Sequence, residues 1–402
     1  MPSARYHSAV LSPASQHPPS PDRVPVSCLI RRAVELDAIA RKAVVQHQAA
    51  PCAAVATAFR SHGAWHIAEG AYGVLYPGGP EAHPESPFDL ASVTKPFCAL
   101  TLARLVRKGL LALSTPLGAL VQEALGTPSA QTPIELLLAH RSGLDGHRPL
   151  YEPLEQGRRF DRYQALQQAA MARRPECTGP APAHGFPPTY SDLGYLLLGE
   201  AMARASAQPL DALVRSEVCD PLGCDTGSAR WWRKRDPYFD LRVAPTEDVP
   251  WRAGVLRGVV HDENAWALAG YGMCAHAGLF GPARDVARLG CAVLDVLAGR
   301  RTSWLSQEDI EPLLRKRPGA SLRAGFDGKS PAGSSAGSVC SDETFGHLGF
   351  TGTSLWIDPV HSVVVVLLTN RVHPTRASDA IRRARPAVHD DLFRFGIDAA
   401  SR

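Results

Sequence analysis

The chain has 402 residues, 45% of them hydrophobic and 20% charged, which is enough to bury a large core and too long for one minimal domain. Its net charge of +4 is spread without a basic run that alternates with aromatics, which argues against a nucleic-acid partner. The longest purely aliphatic run, Val363 to Leu368, is far short of the roughly 20 residues a membrane helix needs, so an ordinary soluble globular protein of two interleaved lobes is expected.

In chain order, residues 1–25 read as a disordered tail. One early arginine is followed by an apolar run of only three residues, which lacks the apolar core of a secretory signal. The nine cysteines are odd in number and sit mostly in apolar surroundings, which points to free thiols and a cytoplasmic location. An amphipathic helix is predicted over 28–47, with Leu29, Ile30, Val34, Leu36, Ile39 and Val44 as its apolar positions. Strands follow at 52–59 and 64–72, joined by a turn at Ser61-His-Gly63.

The next helix is predicted to open near Ser92 and to end at Gly109, after Arg107 and Lys108, cations suited to a helix C-terminus. Patterns to about residue 300 are mainly helical. Thr132-Pro-Ile-Glu135 resembles a capped start, and Gly281-Pro-Ala-Arg-Asp285 puts proline in a first helical turn. The Pro- and Gly-rich stretch from Arg174 to Pro188 is a long loop of the kind that carries function. Phe345 to Asp358 and Ser362 to Thr369 read as paired strands, and a last helix covers Arg376 to Phe395 with an interruption at Pro386. This order predicts a mixed α/β (α+β) fold. One lobe comes from about 26–90 and 300–398, and a helical lobe of about 91–300 is inserted between its halves, with the junctions as the places to look for chemistry.

One junction holds Leu90-Ala-Ser-Val-Thr-Lys-Pro-Phe97. Positions i and i+3 share a helix face, so the Ser92 hydroxyl and the Lys95 amine can meet. Burial would lower the lysine pKa and let it accept the serine proton, while N–H groups at the helix start would stabilise an oxyanion. Taken alone the tetrad is weak, since a helix-capping serine and a snorkelling lysine would give the same pattern.

Two further stretches add to it. Thr189-Tyr-Ser-Asp-Leu-Gly-Tyr-Leu-Leu-Leu-Gly199 delivers Tyr190 from the Pro-rich loop to a helix start, and Gly346-His-Leu-Gly-Phe-Thr-Gly-Thr-Ser-Leu-Trp-Ile-Asp358 puts His347 on a late strand. With these the sequence resembles the serine β-lactamase and penicillin-binding superfamily, specifically the class C β-lactamase-related serine hydrolases of the esterase-like branch. Leu136-Leu-Leu-Ala-His-Arg-Ser-Gly-Leu144, Val260-His-Asp-Glu-Asn-Ala265 and Ala275-His-Ala-Gly-Leu-Phe280 fit in the same order.

The resemblance implies a β-lactamase/transpeptidase-like fold, with a central antiparallel sheet flanked by terminal helices and an inserted all-helical lobe. It implies Ser92 as the acylated nucleophile, with Lys95 and Tyr190 as the groups that move protons. It also implies an oxyanion hole from the backbone N–H groups of Ser92 and Phe350, with Gly349 allowing close approach of the strand. Whether lysine or tyrosine is the base stays open, because a coupled pair titrates as a unit.

Two departures bear on substrate. Asp192 stands where the group's β-lactamases carry asparagine, and His347-Leu348-Gly349 stands in place of Lys-Thr-Gly. The first loses an amide donor, and the second puts a histidine titrating near neutrality where a cation is usual and loses a hydroxyl. Both favour a small ester or amide over β-lactams or D-alanyl peptides. A carboxypeptidase or β-lactamase and a non-catalytic sensor or scaffold are the alternatives. No cofactor or metal is expected, because adjacent residues such as His261-Asp-Glu-Asn264 rarely point at one centre. Cys219 and Cys224 are expected as buried thiols, and 317–344 as a surface loop.

Overall fold

A computed structural model describes residues 26–401, and the tail expected over 1–25 lies outside the described residues. Helix α1 (Val26–Arg41) runs on through a π turn over Lys42–Gln46, after which β1 (Cys52–Ser61) and β2 (Ala64–Gly73) form a hairpin. His62 and Gly63 take positive φ at 49° and 82°, the two-residue turn whose twist matches that of the flanking strands. Leu36 and Ile39 of α1 are buried, whereas Val34, expected on the apolar face, is exposed. The helix crosses β2 closely: a Cβ on Gly70 would lie 2.4 Å from the Leu36 carbonyl carbon.

The Ser92 segment is preceded by β3 (Phe88–Asp89) and carried into α2 (Thr94–Arg107). Helix α3 (Asp192–Ser206) packs on α2 within the helical lobe. Two short strands, β4 (Gly227–Ser228) and β5 (Leu279–Gly281), join β3 in a three-stranded sheet of order β3-β5-β4, so the segment expected to be all-helical also carries strands. Helix α4 (Ala283–Leu297), assigned by sequence to that same segment, lies on the main sheet against β1 and the C-terminal strands. Gly290 makes this possible, since a Cβ there would sit 2.5 Å from Val364 Cγ1.

The C-terminal part supplies β6 (Asp327–Gly328), β7 (Phe345–Leu348), β8 (Ser354–Asp358) and β9 (Val363–Thr369), closed by α5 (Ile381–Ala400). The six strands form one antiparallel sheet of order β2-β1-β9-β8-β7-β6, with β1 paired to β9 from Ala53↔Thr369 to Phe59↔Val363. The N-terminal hairpin and the C-terminal strands are thereby locked into one layer. Side chains alternate across it. Val363, Val365 and Leu367 face α1 and α5, while Val364, Val366 and Leu368 face the core shared with α2 and α4. Burial on both faces explains the unbroken aliphatic run of β9.

Several expected boundaries change. The strand predicted over Phe345–Asp358 is two strands, because Gly349 N–H bonds Thr353 O at 2.7 Å and Gly352 takes φ +102°, reversing the chain between them. The last helix starts at Ile381 and continues through Pro386 without interruption. Its Ala384, Val388, Leu392 and Phe393 are fully buried, and that packing outweighs the hydrogen bond a proline removes. Thr132 does not cap the helix after it: Pro133 holds the cap position, and Thr132 Oγ1 accepts from Arg173 instead. Pro282 likewise sits at the cap of α4 rather than inside its first turn. The eight cysteines whose side chains are described are free and buried, Cys219 and Cys224 among them. No helix among the described residues is long and apolar enough to cross a membrane.

Candidate active site

Ser92 sits in a single 3-10 turn, Ala91–Val93, that leads into α2. The residue before it, Ala91, has φ +47°, a left-handed conformation that costs a non-glycine residue about 1–3 kcal/mol and persists only where the surroundings impose it. The imposing group is Asp89. Its Oδ1 accepts the Ala91 N–H at 2.8 Å and its Oδ2 accepts the His261 N–H at 2.7 Å. Thr351 and Thr353 each donate a hydroxyl at 2.8 Å, to the carbonyls of Asp89 and Leu90. The turn carrying the serine is thus tied to the β7–β8 turn before any ligand arrives.

At the second residue of α2, Lys95 is fully buried, and its Nζ donates to Ser92 Oγ at 2.9 Å, Tyr190 Oη at 2.7 Å and Asp192 Oδ1 at 2.7 Å. The rings of Tyr190 and Tyr195 stand 4.7 and 5.2 Å from the same nitrogen. All donors of the ammonium are used and two π faces surround it, which is how a cation survives in a core. Burial by itself would lower the lysine pKa as the sequence implied. The Asp192 carboxylate and the Tyr190 hydroxyl work the other way and leave it raised, so the resting side chain is an ammonium.

Tyr190 reaches this point from the end of the Pro-rich loop, with Ser191 capping α3 by accepting the Gly194 N–H at 3.1 Å. The ring is partly exposed, but its hydroxyl points inward at Lys95 Nζ, and desolvation there shifts the phenol up, against the nearby Lys95. Behind it stands His140, a residue of the Leu136–Leu144 segment whose place at the site only the structure reveals. The imidazole stacks on Tyr190 at 4.7 Å and on Tyr195 at 4.9 Å, and its Nδ1 accepts the Ser191 N–H at 3.0 Å. Burial first, then Lys95 and His347, hold it well below the usual histidine range, so it supports Tyr190 as a neutral ring.

His347 lies on β7 with its ring 6.0 Å from that of Tyr190, and Nδ1 faces the Leu348 carbonyl at 2.8 Å. The expectation that it titrates near neutrality is corrected: burial and the Lys95 charge push it down to about 3. Gly349 is required by contact, since a Cβ would lie 1.9 Å from Thr353 Oγ1 and 2.7 Å from the Leu90 carbonyl oxygen. Phe350 follows, its ring half-exposed between His261 and the guanidinium groups of Arg371 and Arg376. Among the hydrogen bonds of the described residues, the backbone N–H groups of Ser92 and Phe350 have no acceptor.

Ser92, Tyr190, Asp192, His347 and Phe350 all line one cleft of about 640 Å³, whose far wall is the start of α5. The His261-Asp-Glu-Asn264 cluster does not line it but stands behind Phe350 and Arg376, and it points four ways. His261 pairs with Glu247, Asp262 with His276, Glu263 with Arg376, and Asn264 with the backbone of Arg148 and Tyr151. Glu247 is held down at about 2 by His261 and Arg376 despite burial, so an ion-pair network backs the Arg376 side of the cleft.

The model of the family described as Beta-lactamase matches residues 40–389. The chain belongs to the beta-lactamase family. It is 30% identical over 222 residues to a "Putative D-alanyl-D-alanine carboxypeptidase" of Salmonella agona (strain SL483), and 31% identical over the same length to the protein of that name from Salmonella gallinarum (strain 287/91 / NCTC 13346). Each match takes in 52% of this chain and 49% of the relative, so the chain spans about half the length of the curated relatives it matches. Solved structures show the same fold. EstCE1, a hydrolase with promiscuous acyltransferase activity, matches with TM-score 0.66 at 19% identity, over 91% of this chain and 100% of its own. The D-amino acid amidase of Ochrobactrum anthropi SV3 matches with TM-score 0.64 at 19% identity, over 92% and 100%.

Proposed function

We propose that this family member hydrolyses a small ester or amide through an acyl-enzyme on Ser92. The carrying observation is that one buried amine, Lys95 Nζ, lies within 2.9 Å of the Ser92, Tyr190 and Asp192 oxygens at the wall of an open cleft. In this reading the Lys95–Tyr190 pair first passes one proton to the Asp192 carboxylate, 2.7 Å from Lys95 Nζ, and then, titrating as a unit, takes the hydroxyl proton as Ser92 Oγ attacks the carbonyl carbon. The carbonyl oxygen gains its charge facing the N–H groups of Ser92 and Phe350. Tyr190 then returns the proton to the departing alkoxide or amine, and the same groups deprotonate the water that releases the acid.

Asp192 and the neutral His347 support a neutral acyl group, since neither offers the cation or amide donor an anionic one would need. The free buried cysteines suit a reducing compartment, and a cytoplasmic location belongs to the same proposal. The test is turnover of short-chain nitrophenyl esters by the purified protein and by Ser92→Ala. Loss of turnover is the expected result, and equal activity in the variant rejects the nucleophile.

One observation favours a second reading, a D-alanyl carboxypeptidase or β-lactamase. Arg382 is exposed on the cleft wall and, among the described residues, has no carboxylate partner, so it is free to receive a substrate carboxylate. Rapid, stable labelling of Ser92 by a fluorescent penicillin would move the assignment to this reading.

A further inference from the structure

Arg385, on the first turns of α5, is 8% exposed and makes no ion pair among the described residues. A buried guanidinium without a counter-ion is costly, and here Nε is also left without a partner. What it holds is specific. One terminal nitrogen donates to the Gly349 carbonyl at 2.6 Å and to the Thr353 carbonyl at 2.8 Å.

The Gly349 carbonyl and the Phe350 N–H belong to the same peptide unit. In a trans peptide the two point in opposite directions, so a donor fixed on the carbonyl side turns the N–H the other way. That N–H has no acceptor among the described residues, and Phe350 borders the cleft with Ser92. A cation on the carbonyl oxygen also draws electron density through the amide, strengthening the N–H as a donor, because hydrogen bonds in series polarise one another. Arg371 Nε donates to the Phe350 carbonyl at 2.7 Å, so the peptide that follows is held as well.

We propose that Arg385 is a positioning residue for acyl transfer, which orients and polarises the Gly349–Phe350 peptide so that its N–H stabilises the oxyanion formed on the substrate. The inference rests on the acyl-enzyme reading above. It accounts for the missing counter-ion: the negative charge complementary to Arg385 appears only in the transition state, one peptide unit away, so its stabilisation is felt in the barrier more than in substrate binding.

The test compares wild type, Arg385→Met and Arg385→Lys as full chains on a neutral nitrophenyl ester. It records kcat and KM separately, with the infrared carbonyl stretch of an acyl-enzyme trapped on Ser92. Loss of a direct oxyanion donor costs about 100- to 1,000-fold, so loss of its support should lower kcat by about 10-fold or more in the Met variant with KM little changed. The acyl carbonyl stretch should move to higher wavenumber, with Arg385→Lys intermediate and added methylguanidinium restoring part of the Met variant's rate. If Met does not fold, the Lys variant alone carries the comparison of kcat and stretch. Unchanged kcat, a loss of kcat with an unmoved stretch, or an effect confined to KM for anionic substrates overturns the proposal. Turnover that persists in Ser92→Ala overturns the acyl-enzyme reading instead, so the two failures are told apart.

Discussion

Replacing Gly349 by alanine probes the junction between the Ser92 turn and the strand end that carries Phe350. The added methyl would lie 1.9 Å from Thr353 Oγ1 and 2.7 Å from the Leu90 carbonyl oxygen. Thr353 cannot give way freely, because its hydroxyl holds that same carbonyl at 2.8 Å, a bond whose loss costs about 1 kcal/mol. Even with the threonine rotated, the strand must back away from Leu90 by about half an ångström to restore van der Waals contact, and Leu90 is two residues before Ser92. Overpacking of this kind costs about 1–3 kcal/mol of stability, and a misplacement approaching 1 Å costs about 100-fold in rate. Gly349→Ala is therefore expected to lower kcat by about 10- to 100-fold, out of proportion to a modest fall in melting temperature. Combining it with Thr353→Ala removes the shorter clash and leaves the Leu90 one, so the double variant should lose less than the sum of the singles, read by ester kinetics and thermal melts. Wild-type turnover in Gly349→Ala, or strict additivity in the pair, would refute the reasoning.

Further outcomes follow from the same geometry. Asp192→Asn removes the carboxylate that raises the pKa of both Lys95 and Tyr190, so the acid limb of the kcat/KM profile should move to lower pH; an unmoved limb would mean that neither group sets it. Tyr190→Phe removes the hydroxyl that accepts from Lys95 and should cost about 100- to 10,000-fold in kcat, with the fold intact by circular dichroism. His347, neutral in the folded chain with a pKa of about 3, binds its proton near 6.5 once unfolded. Its contribution is present above 6.5 and is lost as the pH falls toward 3, at about 1.4 kcal/mol per pH unit. His347→Asn should flatten the acid side of a stability profile taken by urea melts at several pH values. Gly290→Val, which forces a side chain onto Val364, should lift α4 from the sheet and lower the melting temperature with little change in KM.

The local elements were legible because their signals are local. The 52–61 and 64–73 hairpin follows from β-favouring residues around His-Gly, and the helix after Ser92 follows from its apolar spacing and its closing cations. The meeting of Ser92 with Lys95 needed only one helical turn. Tyr190 and His347 were found by resemblance, since 98 and 255 residues separate them from Ser92 and no spacing rule spans such distances. Hidden from the sequence were the split of β7 from β8, set by one backbone hydrogen bond at Gly349, and the unbroken helix through Pro386, set by packing.

The sequence by itself determined which chemistry is available: a serine and a lysine on one helix face, a tyrosine at a loop's end, a glycine where strand meets turn. Only the tertiary structure decided the protonation of that chemistry. Read from the sequence, the lysine would be neutral and the histidine ordinary. The fold places Asp192 against Lys95 and keeps it an ammonium, and it encloses His347 and pushes its pKa down to about 3. The charge state of a buried group depends on the sum of desolvation and neighbours from every element around it, and the chain order does not encode that sum locally.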